Sequence, residues 1–66
     1  DPAAEIARLE KEIEKARSFA ASIEKKLSNQ KFVSGAPEAV VNAERTKLAT
    51  QQDIIAKNEA ALKELR

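Results

Sequence analysis

The residues with the clearest chemistry in this sequence are five cations near its middle: Lys25, Lys26, Lys31, Arg45 and Lys47. The same stretch contains three carboxylates, Glu24, Glu38 and Glu44, so positive charge is in local excess. Clustered lysines and arginines attract anions such as phosphate. The same side chains also suit an ordinary solvated helix surface, and the residues alone leave both interpretations open.

Few residues of this chain could take part in catalysis. The chain contains no histidine and no cysteine, which excludes disulfides, thiolate chemistry, zinc fingers and His-based proton transfer. Gly35 is the only glycine, so no glycine-rich phosphate loop exists. The carboxylates that remain have no concavity around them in a thin helical protein. We therefore predict no catalytic residue, no cofactor and no metal site.

Length and composition indicate one small domain in a reducing, cytoplasmic setting. The chain has 66 residues, of which 42% are hydrophobic, and a secreted domain of this size would normally need disulfides. Its longest apolar runs are only three residues, which predicts no membrane span. The net charge of +1 gives no global attraction for nucleic acid, so such a partner has to meet a local patch.

Capping residues and one break predict two helices, at about residues 2–28 and 37–65. Asp1 can cap a helix whose first residue is Pro2. We expect a turn at about residues 29–36, where Asn29 would adopt the left-handed conformation that ends a helix. Pro37 would then lie in the first turn of the second helix.

Heptad spacing predicts an all-α fold, a monomeric two-helix antiparallel coiled-coil hairpin. The first helix carries apolar residues at alternating steps of three and four: Ile6, Leu9, Ile13, Ala16, Ala20, Ile23 and Leu27. The second helix has the same steps with several polar members: Val41, Glu44, Leu48, Gln51, Ile55, Asn58, Leu62 and Leu65. Antiparallel packing then pairs Ile6 with Leu65, Leu9 with Leu62, Ala16 with Ile55, and Ile23 with Leu48. Ile13 would face Asn58 in a weaker, polar layer.

The same register places two further pairs beside the seam. Lys26 and Lys47 share one edge, where they would repel each other unless an anion such as phosphate lies between them. Phe19 and Ile54 share an edge and would widen the buried strip.

The residues around the turn form a recognisable string: Lys26-Leu27-Ser28-Asn29, Phe32-Val33, Ala36-Pro37-Glu38, Val40-Val41 and Glu44-Arg45. This string resembles the turn of the C-terminal coiled-coil arm, the tRNA-binding arm, of bacterial-type valyl-tRNA synthetases. The flanking heptads fit that arm in phase and length, so the resemblance covers nearly the whole chain.

The resemblance implies a role in holding tRNA and a place at the end of a longer polypeptide. Such an arm contacts the outer corner of tRNA, where the D and T loops meet. Aminoacylation belongs to a separate catalytic domain, so this fragment would not be an enzyme although its parent would be a valine ligase. The expected RNA-binding residues are the five cations, Lys25, Lys26, Lys31, Arg45 and Lys47, together with Phe32.

Two alternatives stay open. Phe32 and Val33 can fold back over the seam and cover its end, or Phe32 can stack on an unpaired base. The chain as a whole can instead be a spacer, a protein-interaction hairpin, or the RNA-contacting hairpin of a translation-associated ABC-type ATPase.

Overall fold

The computed structural model describes residues 1–66 and contains three α-helices and no strand. Helix α1 is Pro2–Ser28, α2 is Gln30–Gly35 and α3 is Glu38–Leu65. The all-α class is confirmed. The expectation of two helices joined by a turn at about residues 29–36 is not confirmed, because residues 30–35 form a third helix. No helix is long and apolar enough to cross a membrane.

Helix α1 begins as its sequence predicts. The Asp1 carboxylate accepts a hydrogen bond from the N–H of Ala3 at 3.1 Å, and Pro2 occupies the first helical position, where its missing N–H costs nothing. At the other end, Lys25 and Lys26 lie in the last turn, where the helix dipole favours cations. Both termini of this 27-residue helix are therefore stabilised locally.

Asn29 connects α1 to α2 in a way that the sequence did not suggest. Its backbone is extended, with φ −83° and ψ 109°, and no residue of the chain has a positive φ, so the predicted left-handed conformation is wrong. The reason is that Asn29 also starts a helix. Its N–H donates to the carbonyl of Lys26 at 3.1 Å, while its side chain accepts from the N–H of Lys31 at 3.0 Å. One residue thus ends α1 and caps α2.

Pro37 precedes α3 instead of lying in its first turn. Its φ of −57° and ψ of 145° are not helical, and α3 begins at Glu38. The carbonyl of Pro37 accepts from the N–H groups of Val40 at 2.9 Å and Val41 at 3.2 Å. Proline therefore stands one position earlier than expected, where its fixed φ turns the chain into the return helix.

Helices α1 and α3 lie side by side and run in opposite directions. Three ion pairs connect α1 with α3 or with Arg66, the residue that caps α3. The partner's residue number falls as the number on α1 rises: Glu10 with Arg66, Arg17 with Glu59, and Lys26 with Glu44. The molecule is accordingly slender, measuring 49 × 14 × 12 Å. Helix α2 lies at the end where α1 finishes and α3 starts.

The buried residues lie on one stripe of α1 and at two positions of α3: Leu9, Ile13, Ala16, Ala20, Ile23, Val41 and Leu62. Leu9, Ile13 and Leu62 form a cluster against which Ile6 and Ile55 pack. The shared cluster agrees with the predicted pairing of Leu9 with Leu62. Three polar positions of the α3 stripe, Glu44, Gln51 and Asn58, are half-buried. The core is therefore built mainly from α1.

Candidate nucleic-acid interface

The helices bring the five predicted cations to one end of the molecule. Lys25 and Lys26 come from the last turn of α1, Lys31 from the first turn of α2, and Arg45 and Lys47 from the first half of α3. All five side chains are exposed. We call this set the basic end. The basic end is therefore assembled from all three helices.

Glu44 lies between two of these cations. Its Oε1 is 3.7 Å from Nζ of Lys26 and 3.6 Å from Nζ of Lys47, and its side chain is only 12% exposed. The sequence predicted that Lys26 and Lys47 repel each other unless an anion separates them. That anion is an internal carboxylate, so the two ammonium groups are held on the same edge without an external ligand.

The other cations of the basic end are free of carboxylates. Lys25 and Lys31 make no ion pair, and Arg45 donates only one long hydrogen bond, from Nη1 to Oδ1 of Asn42 at 3.4 Å. Exposed lysines without partners can neutralise phosphates, and the counterions that the RNA then releases favour binding. The basic end therefore keeps unneutralised positive charge.

Phe32, on α2, is partly covered by the protein. Its side chain is half-buried, as is that of its neighbour Val33, while Val41 on α3 is buried and Val40 is 44% exposed. Part of the ring is thus covered by the protein and part faces solvent. The two roles considered for Phe32, covering the end of the seam and stacking on a base, remain compatible with this position.

The far half of the molecule also has carboxylates, and several of them pair with arginines. A shallow open groove of about 410 Å³ contains Glu10, Glu14, Arg17, Glu59 and Arg66. Arg66 bonds Glu10 at 2.6 Å, and Arg17 bonds Glu59. Nearby, the hydrogen bond from Arg8 lowers the pKa of Glu5 below its ordinary value. These groups are solvated and most of them are paired, which is typical of surface ion pairs between helices.

One exposed feature was underestimated from the sequence. Phe19 and Ile54 do share an edge, but they widen the buried strip only in part, because Phe19 remains 49% and Ile54 37% exposed. Together they border an open groove of about 400 Å³, whose lining is Glu12, Lys15, Ala16, Phe19, Gln51 and Ile54. The large size of both residues could have indicated this exposure, because small alanines beside the seam do not cover such side chains.

The fold and the basic end define a slender helical module whose available chemistry is the binding of anions. Residues 1–66 match the sequence model of the family described as the valyl tRNA synthetase tRNA binding arm. The chain belongs to this family.

Curated relatives agree with the family. The chain is 54% identical over 57 residues to a valine–tRNA ligase of Francisella tularensis, covering 86% of this chain and 6% of the relative. It is 48% identical over 66 residues to that of Mesorhizobium japonicum, covering 100% and 7%. It is 48% identical over 58 residues to that of Chlorobaculum tepidum, covering 88% and 6%. The chain thus spans less than a tenth of the length of these relatives. No solved structure matches it significantly.

Proposed function

We propose that this chain is the tRNA-binding arm of a cytoplasmic valine–tRNA ligase and that its basic end contacts the outer corner of tRNA, where the D and T loops meet. The relatives are valine–tRNA ligases and are much longer than this chain. In this proposal the catalytic domain of the parent enzyme performs aminoacylation. The arm contributes binding energy only.

The observation that carries the proposal is the concentration of exposed cations at one end of a rod 49 Å long. Each phosphate that a lysine or arginine neutralises releases condensed counterions, and this release drives RNA binding without reading sequence. The outer corner of tRNA presents looped backbone and splayed bases, which is the kind of RNA surface that proteins recognise. Lys25, Lys26, Lys31, Arg45 and Lys47 would contact phosphates, and the exposed part of Phe32 would assist.

The packing of α1 against α3 suits such an arm if it is a monomeric antiparallel coiled coil. Five buried α1 residues repeat at steps of four and three, as coiled-coil seam positions do. A two-helix rod of this kind separates the basic end from the rest of the polypeptide at a fixed distance. The surrounding ion pairs on both helices keep its flanks polar.

The test is steady-state aminoacylation by a chimera in which the arm of the Mesorhizobium japonicum enzyme, aligned over all 66 residues, is replaced by this chain. Lys26 and Lys47 are changed together to glutamine. Reversal to glutamate would bring three carboxylates together around Glu44 and disturb the fold, so the neutral amide is the cleaner change. Circular dichroism of the chain verifies that helicity is kept.

We expect the apparent KM for tRNA to rise more than kcat falls, because the arm is remote from the reacting groups. The log–log dependence of tRNA binding on salt should become shallower by about one unit for each phosphate that the variant no longer neutralises. The matched control changes Lys11 and Lys63 to glutamine. Lys11 lies on α1 and Lys63 on α3, near the opposite end of the molecule, and neither makes an ion pair. An unchanged KM in the folded Lys26→Gln/Lys47→Gln variant would favour a spacer or a protein-docking arm.

A further inference from the structure

The groove between Phe19 and Ile54 exposes apolar side chains outside the core. The Phe19 side chain is 49% exposed and Ile54 is 37% exposed, although both lie in the interior of long helices. The groove is open to solvent and has a volume of about 400 Å³. Two exposed apolar side chains beside one open groove present surface that a binding partner can cover.

Cations lie on both sides of this groove along the same edge. On α1, Lys15, Phe19 and Lys26 are separated by four and seven residues, which places them on one face of the helix. At about 1.5 Å per residue, Lys15 and Lys26 are about 16 Å apart along the axis, with Phe19 between them. On α3, Lys47 and Ile54 are seven residues apart, which is about two turns of the same face. Along this edge, Lys15 is followed by the apolar groove and then by the pair of Lys26 and Lys47.

Carboxylates on this edge are already neutralised. Glu12, at the margin of the groove, accepts a hydrogen bond from Arg8 at 3.0 Å. Glu44 is shared between Lys26 and Lys47 at distances of 3.7 and 3.6 Å. Lys15 makes no ion pair. The edge consequently presents net positive charge to whatever covers the apolar groove.

We infer that the groove between Phe19 and Ile54 binds one nucleoside of the RNA, with its base or ribose against the Phe19 ring and the flanking phosphates near Lys15 and the Lys26–Lys47 pair. This inference rests on the proposed function and extends the RNA-binding face from the basic end to the middle of the rod. It adds Lys15, Phe19 and Ile54 to the interface.

The chemistry of the edge favours RNA over other occupants. A nucleotide chain alternates an aromatic base with a phosphate, and the edge alternates an aromatic side chain with cations. Aromatic residues in a positively charged groove are the usual platform on which proteins stack bases, whatever the sequence. The centre of a protein–protein interface is instead depleted of charged residues. The edge that carries the groove also reaches the basic end, because Lys26 lies seven residues from Phe19 on the same face of α1.

Aromatic NMR of the carbon-13-labelled 66-residue chain with unlabelled RNA tests the inference, because Phe19 and Phe32 are its only aromatic residues and carbon-edited spectra remove the signals of the bases. The chain is titrated with a valine tRNA transcript up to millimolar concentration. Stacking on a base should shift the Phe19 ring signals upfield through the ring current of the base. Backbone amides of Lys26 and Lys47 report contact at the basic end in the same spectra.

Two substitutions separate stacking from general loss of apolar surface. Phe19→Ala should weaken tRNA binding roughly five-fold or more while leaving the salt dependence unchanged, because every phosphate-binding cation remains. Phe19→Leu should weaken binding less than Phe19→Ala does. Leu65→Ala truncates a residue exposed to a similar extent, 40%, outside the groove and should leave binding unchanged. Lys15→Gln should weaken binding and reduce the salt slope by about one unit.

The outcomes distinguish this inference from the proposed function. If the Lys26 and Lys47 amides shift and the Phe19 ring does not, the groove is not a nucleoside site although the basic end binds RNA. If no signal shifts at millimolar tRNA, both proposals are wrong. If the chain sediments as a dimer that Phe19→Ala converts to a monomer, the groove joins two copies of the chain and the inference is overturned.

Discussion

The ammonium Nζ of Lys26 lies 3.7 Å from Oε1 of Glu44, and this ion pair crosses from α1 to α3 next to α2. The same carboxylate oxygen is 3.6 Å from Nζ of Lys47. The charge of Glu44 is thus close to both lysines. Because only 12% of its side chain is exposed, that charge is also poorly solvated. It therefore connects the two helices and also lowers the positive potential that an approaching phosphate meets.

Glu44→Gln should strengthen RNA binding. The change removes one negative charge next to the two lysines that we propose to contact phosphates, and it keeps the shape of the side chain. We expect roughly two- to five-fold higher affinity at low salt, which is the size of the Coulomb interaction of unit charges about 8 Å apart in a solvent-exposed setting with a dielectric close to that of water. Stability should fall by less than about 1 kcal/mol, because both lysines are more than half exposed and such ion pairs contribute little. Fluorescence anisotropy with labelled tRNA measures the affinity.

Glu24→Gln is the matched control for this change, because Glu24 is exposed, lies near the same end and makes no ion pair. It alters net charge by the same amount and should strengthen binding less than Glu44→Gln does. Equal effects of the two substitutions would show that only net charge matters. Weaker binding by Glu44→Gln would show that the carboxylate holds the lysines in the orientation that RNA requires.

Asn29→Ala should destabilise α2. The N–H of Lys31 would lose the side-chain acceptor that it has at 3.0 Å, and removal of an N-cap costs about 0.5–2 kcal/mol. Faster hydrogen exchange of the Lys31 amide and a lower midpoint of thermal unfolding would measure this loss. Gln30→Ala, one residue further on in the helix, keeps the cap and serves as the control. Identical exchange in the two variants would mean that the cap contributes nothing to α2.

Long-range periodicity made α1 predictable. Its stripe from Leu9 to Ile23 alternates steps of three and four without a break, and all five buried residues of α1 lie on it. The weaker part of the seam was also visible, since Glu44, Gln51 and Asn58 interrupt the same pattern on α3 and are half-buried. An apolar helix face must be covered by another element, so such a pattern predicts which residues pack against a neighbouring helix.

Features that depend on short segments or on side-chain geometry were harder to predict. Helix α2 has only six residues, too few for a periodic pattern, and Asn29 favours several kinds of turn and cap equally. The sequence places Lys26 and Lys47 on one edge but cannot state that Glu44 reaches both. The groove at Phe19 was missed for a related reason, because exposure depends on the size of the neighbours that would have to cover the ring.

An engineered disulfide tests the alignment of α1 with α3. Leu9→Cys with Leu62→Cys should crosslink within one molecule, because both residues belong to the same buried cluster. The chain has no cysteine of its own, so each double variant has a single possible pair within one molecule. Leu9→Cys with Leu48→Cys is the comparison and should crosslink poorly. Dominant crosslinking of this second pair, or crosslinks between molecules, would contradict the antiparallel monomer. Mass spectrometry after mild oxidation identifies the products.

The last prediction concerns the polar layer of the seam. Asn58 is half-buried on α3, and the pairing of Leu9 with Leu62 places Asn58 opposite Ile13, which is only 6% exposed. Partial burial of an amide is unfavourable, and a leucine would cover Ile13 with apolar surface. Asn58→Leu should therefore raise the free energy of unfolding by about 1 kcal/mol, which corresponds to a Tm increase of about 4–8 °C for a chain of this size.

Thermal unfolding followed by circular dichroism measures this change, and sedimentation shows whether the chain stays monomeric. The control is Asn42→Leu, which alters an exposed asparagine of the same helix and should change stability by no more than about 0.5 kcal/mol. Unchanged stability of a monomeric Asn58→Leu variant would mean that Asn58 does not face Ile13. Association into larger species would instead assign Asn58 the role of keeping the seam from accepting further helices, because an exposed leucine stripe attracts them.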